Sequence, residues 1–365
     1  MNPFPALSPV LAAAFAIGFA FGAIQRLSGY CAMGAVSDMV LLGDRRRMRA
    51  WVLGMAAAIL ATQALHLGGW LDLGRAGAVA GSWRWLGALA GGVLFGLGMV
   101  MAGGCGAMTL VRLGGGSLKA LVVVLVAGPV AAVTARGLLA PARQWLDQAT
   151  ADPPAAWGGG ETSLPGLLAA LGLAAPWAHA LPAGLVGLAL LGWSLSDRDF
   201  RATPRLWLGG AALGLLAAAG WAATGILGDD PFDPVPLASL SFMLPMGDGL
   251  LYLMTFTGAA AGFGVVAAAG VVAGAFAAAW VGGRPRLEAF ADRADFLSHL
   301  RGAALMGVGG VMAGGCTVGQ GLSGLALLSL SAPLAVAGIV LGGVWALRGL
   351  EEGGLGAGLR AMLRR

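Results

Sequence analysis

Apolar residues form long uninterrupted runs along this chain, and the charged residues fall in short stretches between them. A helix that crosses a bilayer needs about 20 residues with few or no charges. The stretch 164–195 contains prolines and is counted once, because it is too short for two full spans. The pattern predicts an all-α polytopic membrane protein with about nine transmembrane helices, at residues 8–25, 50–70, 85–103, 118–135, 164–195, 206–227, 250–281, 296–315 and 333–347.

Three further segments are rich in glycine and are too short to cross a membrane, at residues 28–42, 104–116 and 315–325. A short helix is tolerated at membrane depth only where its backbone is covered by protein or faces a water-filled cavity. We therefore predict that these segments are re-entrant helices, which enter the membrane and leave it on the same side.

The composition supports a membrane environment, because 58% of the 365 residues are hydrophobic and only 11% are charged. Lipid is the expected surrounding partner. The net charge of +5 comes from basic residues in short loops and at the C-terminus, so it indicates topology, and no nucleic-acid partner is expected. Most of these basic residues fall inside when the N-terminus is periplasmic and the C-terminus is cytoplasmic, which is the orientation that we predict.

The pentapeptide MAGGC occurs twice, ending at Cys105 and at Cys316, each time at the end of a predicted helix. Under the nine-helix count these two helices run in opposite directions, which predicts inverted pseudo-symmetric repeats. Solutes of such transporters bind where the two repeats meet. We predict one transport domain over residues 1–365, composed of repeat one at about 8–140, a linker and extra helix at about 141–200, repeat two at about 205–349 and a cytoplasmic tail at 350–365.

The candidate chemistry lies in three cysteines that are expected to be free thiols, since their number is odd and they lie in or beside apolar runs. Gly104 and Gly315 would let a solute approach the backbone closely, and the start of a short helix attracts an anion. A thiol adds a weak, polarizable hydrogen-bond donor that suits a soft sulfur or selenium anion. The predicted binding residues are Cys31, Cys105, Cys316, Gly104, Gly315, Thr109, Thr317 and Gln320.

The same three cysteines also fit other interpretations. A small apolar cysteine in a glycine-rich run also fits simple helix packing, and soft-metal transport is a further alternative. A membrane redox or sulfurtransferase enzyme would form a persulfide on one of these thiols. No catalytic triad, phosphate-binding loop or dinucleotide motif occurs in the required context, so we expect no enzyme, no resident metal and no cofactor.

Three segments of the chain resemble the YeeE/YedE family of sulfur transporters, namely FGAIQRLSGYCAMGAVSD, FGLGMVMAGGCGAMTLVRLGGGSLKALVV and VMAGGCTVGQGLSGLALLS. The resemblance implies a helical protein of the bacterial inner membrane that takes up thiosulfate or a related sulfur or selenium species. It also implies that family cysteines contact the ion through S–H···S hydrogen bonds. A cytosolic sulfur-carrier protein is a further candidate partner.

The resemblance extends to Cys31, Cys105 and Cys316, but it fails at a fourth position where family members can have another cysteine. Phe242 stands there in this chain. A thioether from Met243 or Met246 could accept a hydrogen bond weakly at that step, but it cannot donate one.

Overall fold

The computed structural model describes residues 8–150, 161–229, 235–256, 258, 260–282 and 287–363. Within these ranges the regular secondary structure is helical, apart from two isolated β-bridges. Single turns of π-helix at Asp38–Leu42 and Gly319–Gly324 supplement the α-helices. In chain order the α-helices are α1 Pro9–Ser28, α2 Ala32–Ser37, α3 Arg46–Leu67, α4 Trp85–Met101, α5 Gly106–Gly114, α6 Leu118–Arg136, α7 Ala140–Thr150, α8 Leu164–Ala170, α9 Ala175–Leu195, α10 Arg198–Arg201, α11 Pro204–Ile226, α12 Met243–Met254, α13 Phe263–Val281, α14 Arg293–Met312, α15 Ser331–Glu351 and α16 Leu355–Leu363.

Nine of the helices in the described ranges have 17 to 23 residues. Eight of these nine are long and apolar enough to cross a membrane. The ninth, α14, carries Arg293, Asp295 and Arg301 in its first half and becomes apolar only after them. The predicted all-α polytopic membrane fold is therefore confirmed, and the proline-containing stretch 164–195 holds one long helix, α9.

The single helix predicted at residues 250–281 is wrong. The chain forms α12 and α13 there, and the first of these begins before residue 250. Thr255 ends α12 in a non-helical conformation, and Gly262 starts α13 with an extended backbone. Hydropathy missed the break because the connection, TFTGAAAG, contains no charged residue and no proline, so a sliding window does not separate it from the helices on either side.

Small residues let the long helices pack backbone to backbone. A Cβ atom on Gly18 or Gly22 of α1 would overlap the backbone of α13 at Ala267 and Val271. Helices in lipid gain association energy chiefly from such close packing, since lipid is as apolar as a leucine side chain. The high glycine content is therefore explained by the helix contacts.

The long helices pack in two matching sets of pairs. In one set, α1 packs against α13, and α4 packs against α15. In the other set the corresponding helices pair in the same way: α11 packs against α3, and α14 packs against α6. Helices α4 and α14 pack against each other and run antiparallel, because a Cβ on Gly98 would meet the backbone at Gly302 and one on Gly91 would meet Met312. The two MAGGC segments therefore lie at opposite ends of this pair.

One end of the bundle gathers the basic residues, and we call it the basic end; Arg49, Arg112, Lys119, Arg205 and Arg301 mark it. Arg49 contacts the carbonyl of Trp193 and Arg205 contacts that of Leu27, which ties the ends of four long helices together. Lys119 lies 2.7 Å from Asp295, and its ammonium holds the pKa of that carboxyl below its ordinary value.

Candidate functional site

The two MAGGC segments form the same turn. Gly103 has φ +68° and Gly314 has φ +72°, a backbone conformation that favours glycine because it has no Cβ. The N–H of Gly104 donates to the carbonyl of Met99 at 2.9 Å, and the N–H of Gly315 donates to that of Gly310 at 2.8 Å. This Schellman geometry ends each long helix and redirects the chain at the cysteine that follows. The left-handed conformation is adopted by the first glycine of each pair, Gly103 or Gly314, whereas the prediction named the second, Gly104 or Gly315.

Each cysteine stands at or just before the start of a short helix. Cys31 precedes α2, and Cys105 precedes α5. Cys316 lies three residues before the π-helical turn that begins at Gly319. The predicted short segments at 28–42, 104–116 and 315–325 therefore contain short helices, and α12 adds a fourth that the sequence pattern had merged into a longer span.

Two of the sulfur atoms accept hydrogen bonds from backbone N–H groups of these short helices. The N–H of Gly34 lies 3.4 Å from Cys31 Sγ, and that of Gly319 lies 3.5 Å from Cys316 Sγ. Cys105 stands at the same position before α5, but its side chain makes no capping hydrogen bond there. A sulfur that already accepts leaves its S–H hydrogen for another acceptor, which is the geometry of a donor site.

The fold brings the three thiols together. The side chain of Cys105 lies near that of Cys31, near the hydroxyl of Thr317 and near Cys316. Cys105 and Cys316 are buried, whereas Cys31 is partly exposed. The thiols of three segments far apart in sequence thus form one cluster, with Cys105 between the other two.

Phe242 stands at the start of α12, as Cys31 stands at the start of α2. Its backbone N–H contacts the sulfur of Cys316, and its ring packs on that of Phe21 with centroids 5.5 Å apart. A Cβ added to Gly106 would lie 2.8 Å from the Met243 sulfur. At this fourth position the chain therefore offers an aromatic ring and a neighbouring thioether.

The polar residues predicted near the thiols differ in what they contact. Thr109 donates its hydroxyl to the Cys105 carbonyl at 3.0 Å, and Gln320 donates its amide to the Ala313 carbonyl at 2.7 Å. Both side chains thereby support the backbone around a cysteine. Thr317 is fully buried, and its oxygen has no nitrogen or oxygen partner in the described part of the chain. Of these three side chains, Thr317 is the one whose polar group is left free by the described residues to contact a solute.

Two cavities border Gly314 at the end of the bundle opposite the basic end. The larger has a volume of about 310 Å³ and is lined by Ser239, Ser241, Met243 and Gly315 among others. The smaller has a volume of about 60 Å³ and includes Arg84, Gln320 and Ser331. The turn before Cys316 is therefore approached from two sides by space that could hold water or a small ion.

Two side chains near the thiols were missed by the sequence analysis. Tyr30 is 3% exposed, and its hydroxyl has no hydrogen-bond partner among the described residues. The guanidinium of Arg112 would lie 3.3 Å from a Cβ on Gly103, at the first MAGGC turn. The spacing of Arg112 seven residues after Cys105, two helical turns along the same face, is the signal that could have found it.

A family model described as sulphur transport matches residues 27–346 of the chain. The chain is 27% identical over 336 residues to a Spirochaeta thermophila protein named Thiosulfate transporter TsuA, and the match covers 89% of this chain and 94% of that relative. It is 25% identical over 340 residues to the Escherichia coli K12 protein of the same name, with 90% and 91% covered.

Proposed function

The chain belongs to the sulphur transport family, and on that premise we propose that it carries thiosulfate inward across the bacterial inner membrane. The membership confirms the resemblance read from the sequence. Two relatives that match about nine tenths of the chain are named thiosulfate transporters. The observation that carries the proposal further is the single cluster formed by Cys31, Cys105 and Cys316.

The chemistry of thiosulfate fits this cluster. Its terminal sulfur is a soft, weak hydrogen-bond acceptor, and a thiol is a weak and equally polarizable donor. Conduction requires binding that is strong enough to admit an ion and weak enough to release it. In our proposal the ion passes from Cys316 to Cys105 and then to Cys31, and Thr317 contacts it on the way.

The remaining predicted binding residues have supporting roles in this proposal. Gly104 and Gly315 keep the turns narrow beside the thiols, and Thr109 and Gln320 hold the backbone around Cys105 and Cys316. No three His, Cys, Asp or Glu side chains in the described ranges are grouped so that they could hold a metal ion.

We also propose that the two halves are inverted repeats, at about residues 8–140 and 205–349. The antiparallel packing of α4 and α14 and the matching helix pairs support this relation. In the same proposal the basic end faces the cytoplasm, following the positive-inside rule, and the N-terminus is periplasmic. A cytosolic sulfur-carrier protein would then meet the transporter at its basic end.

Transport without a covalent intermediate is the mechanism we propose, since the relatives are named transporters. An enzyme that forms a persulfide would instead leave sulfur bound to one of the thiols. Intact-mass measurement after incubation with thiosulfate distinguishes the two, because a persulfide adds the mass of one sulfur atom and a hydrogen-bonded ion adds nothing after denaturation.

The cargo is tested by uptake of labelled thiosulfate into proteoliposomes that contain the purified protein. Unlabelled thiosulfate should compete, whereas sulfate, which has no terminal soft sulfur, should compete weakly. Selenium analogues measure how far the site tolerates a larger soft atom. Uptake no faster than into protein-free vesicles, under each driving gradient tried, would refute the proposed function.

A further inference from the structure

One face of α5 leads from the thiol cluster towards the basic end. Cys105, Met108 and Arg112 follow one another at spacings of three and four residues, so they share this face. Long side chains on a helix lean back towards its N-terminus. The guanidinium of Arg112 is therefore directed towards the turn that precedes Cys105.

The contacts at the first MAGGC turn confirm that direction. A Cβ on Gly103 would lie 3.3 Å from Arg112 Nη1, and one on Gly104 would lie 3.8 Å from the same nitrogen. The charge of Arg112 also acts on the partly exposed Cys31 thiol. The guanidinium thus stands beside the thiol cluster, on the side where that cluster becomes accessible.

The charge of Arg112 is not neutralised by a neighbouring carboxylate. Within the described ranges Arg112 takes part in no ion pair, whereas Asp38 pairs with Arg47 at 3.3 Å and Asp295 pairs with Lys119 at 2.7 Å. A guanidinium without a carboxylate keeps its planar fork of donors available for another oxyanion.

The second MAGGC segment has no such unpaired charge among the described residues, because Arg84, which lines the smaller cavity beside Gly314, lies 3.4 Å from Asp147. Ser323 occupies the position seven residues after Cys316, and its hydroxyl donates to the Leu240 carbonyl at 2.7 Å. The two halves of the cluster are therefore chemically unequal: in the described part of the chain, the cation beside Cys105 has no carboxylate partner, whereas the one near Gly314 is paired.

We propose that Arg112 binds the sulfonate oxygens of thiosulfate as the ion leaves the thiol cluster at the basic end. This inference rests on the proposed function and adds a specificity-determining residue to it. The thiols contact the soft terminal sulfur, and the guanidinium contacts the oxygens at the other end of the ion. Because Arg112 is exposed, solvent weakens the contact enough to allow release.

The test compares three variants in proteoliposomes whose basic end faces the bath, with labelled thiosulfate exchange as the measurement. Arg112→Gln should raise the half-saturating thiosulfate concentration about tenfold or more, the size expected for a lost charge-assisted hydrogen bond. Arg112→Lys keeps the charge without the fork and should fall between that variant and the wild type. Arg301→Gln removes the same charge from the same end and should behave as the wild type.

Sulfate added at the basic end supplies a second measurement, because it shares the oxyanion but lacks the soft sulfur. It should inhibit exchange by the wild type more than by Arg112→Gln. An unchanged half-saturating concentration in Arg112→Gln, or an equal rise in Arg301→Gln, would overturn the role of Arg112 while leaving the proposed function intact. No exchange by the wild type would overturn both. If Arg112→Gln fails to fold, Arg112→Lys is compared with Arg301→Gln instead. A half-saturating concentration that is raised in Arg112→Lys and unchanged in Arg301→Gln supports the role of Arg112, and equal values overturn it.

Discussion

Replacing Thr317 by valine should make the protein more stable and a slower transporter. The side chain is fully buried, and its hydroxyl has no nitrogen or oxygen partner among the described residues. The Cys105 thiol lies near this hydroxyl, but the two make no hydrogen bond. Valine fills nearly the same shape without the hydroxyl, so the substitution removes the polar group and leaves no large cavity.

The structure also supplies a matched control in Thr109, which is 3% exposed and donates its hydroxyl to the Cys105 carbonyl at 3.0 Å. A buried hydroxyl without a partner costs about 1–3 kcal/mol. Thr317→Val should therefore raise the free energy of unfolding by about 1 kcal/mol. Thr109→Val loses a satisfied hydrogen bond and should lower it by about 0.5–1.5 kcal/mol.

The assay combines thermal unfolding in one detergent with thiosulfate uptake at matched protein abundance. Thr317→Val should unfold at a higher temperature than the wild type and transport more slowly, because a donor to the ion has been lost. Thr109→Val should unfold at a lower temperature and transport at nearly the wild-type rate. A destabilised Thr317→Val variant, or one with undiminished uptake, would refute this reasoning.

Two further predictions concern stability alone. Gly314→Ala should lower the free energy of unfolding by about 1–2 kcal/mol, because φ is +72° at that position. Gly104→Ala should have a smaller effect, because its Cβ would meet nothing closer than 3.5 Å. Equal melting temperatures for the two variants would contradict this prediction. Asp295→Asn should be less stable than the wild type at neutral pH, because Lys119 lowers the pKa of the folded carboxyl. The difference should shrink as the pH falls below the ordinary value of 3.8 and vanish below the lowered pKa of the folded carboxyl, and a pH series of melting curves checks it.

The long helices and the turns of the site could be predicted because their causes are local. An apolar run of membrane length favours a helix, because a helix satisfies its own backbone hydrogen bonds in lipid. The repeated MAGGC predicted two equivalent turns, and they form with φ +68° and +72° at Gly103 and Gly314. The prediction named Gly104 and Gly315, whereas the preceding glycine of each pair adopts the left-handed conformation.

The contents of the cluster depended on contacts that no local pattern contains. The break between α12 and α13 has apolar residues on both sides, so hydropathy alone does not locate it. The approach of Thr317 to the Cys105 thiol joins segments far apart in the chain. Arg112 is among the basic residues whose pattern indicates topology, and its contact with the first MAGGC turn follows from its direction along α5 together with its spacing from Cys105.

The central claim is that thiosulfate passes along the thiol cluster, and the initial rate of thiosulfate uptake by cysteine variants tests it most directly. Cys105→Ala and Cys316→Ala, each at wild-type abundance in the membrane, should abolish uptake, because alanine fills the space of the thiol without its donor. Thr109→Val serves as the control, since it alters the same buried region and keeps all three thiols. Wild-type uptake rates in both cysteine variants would contradict the account.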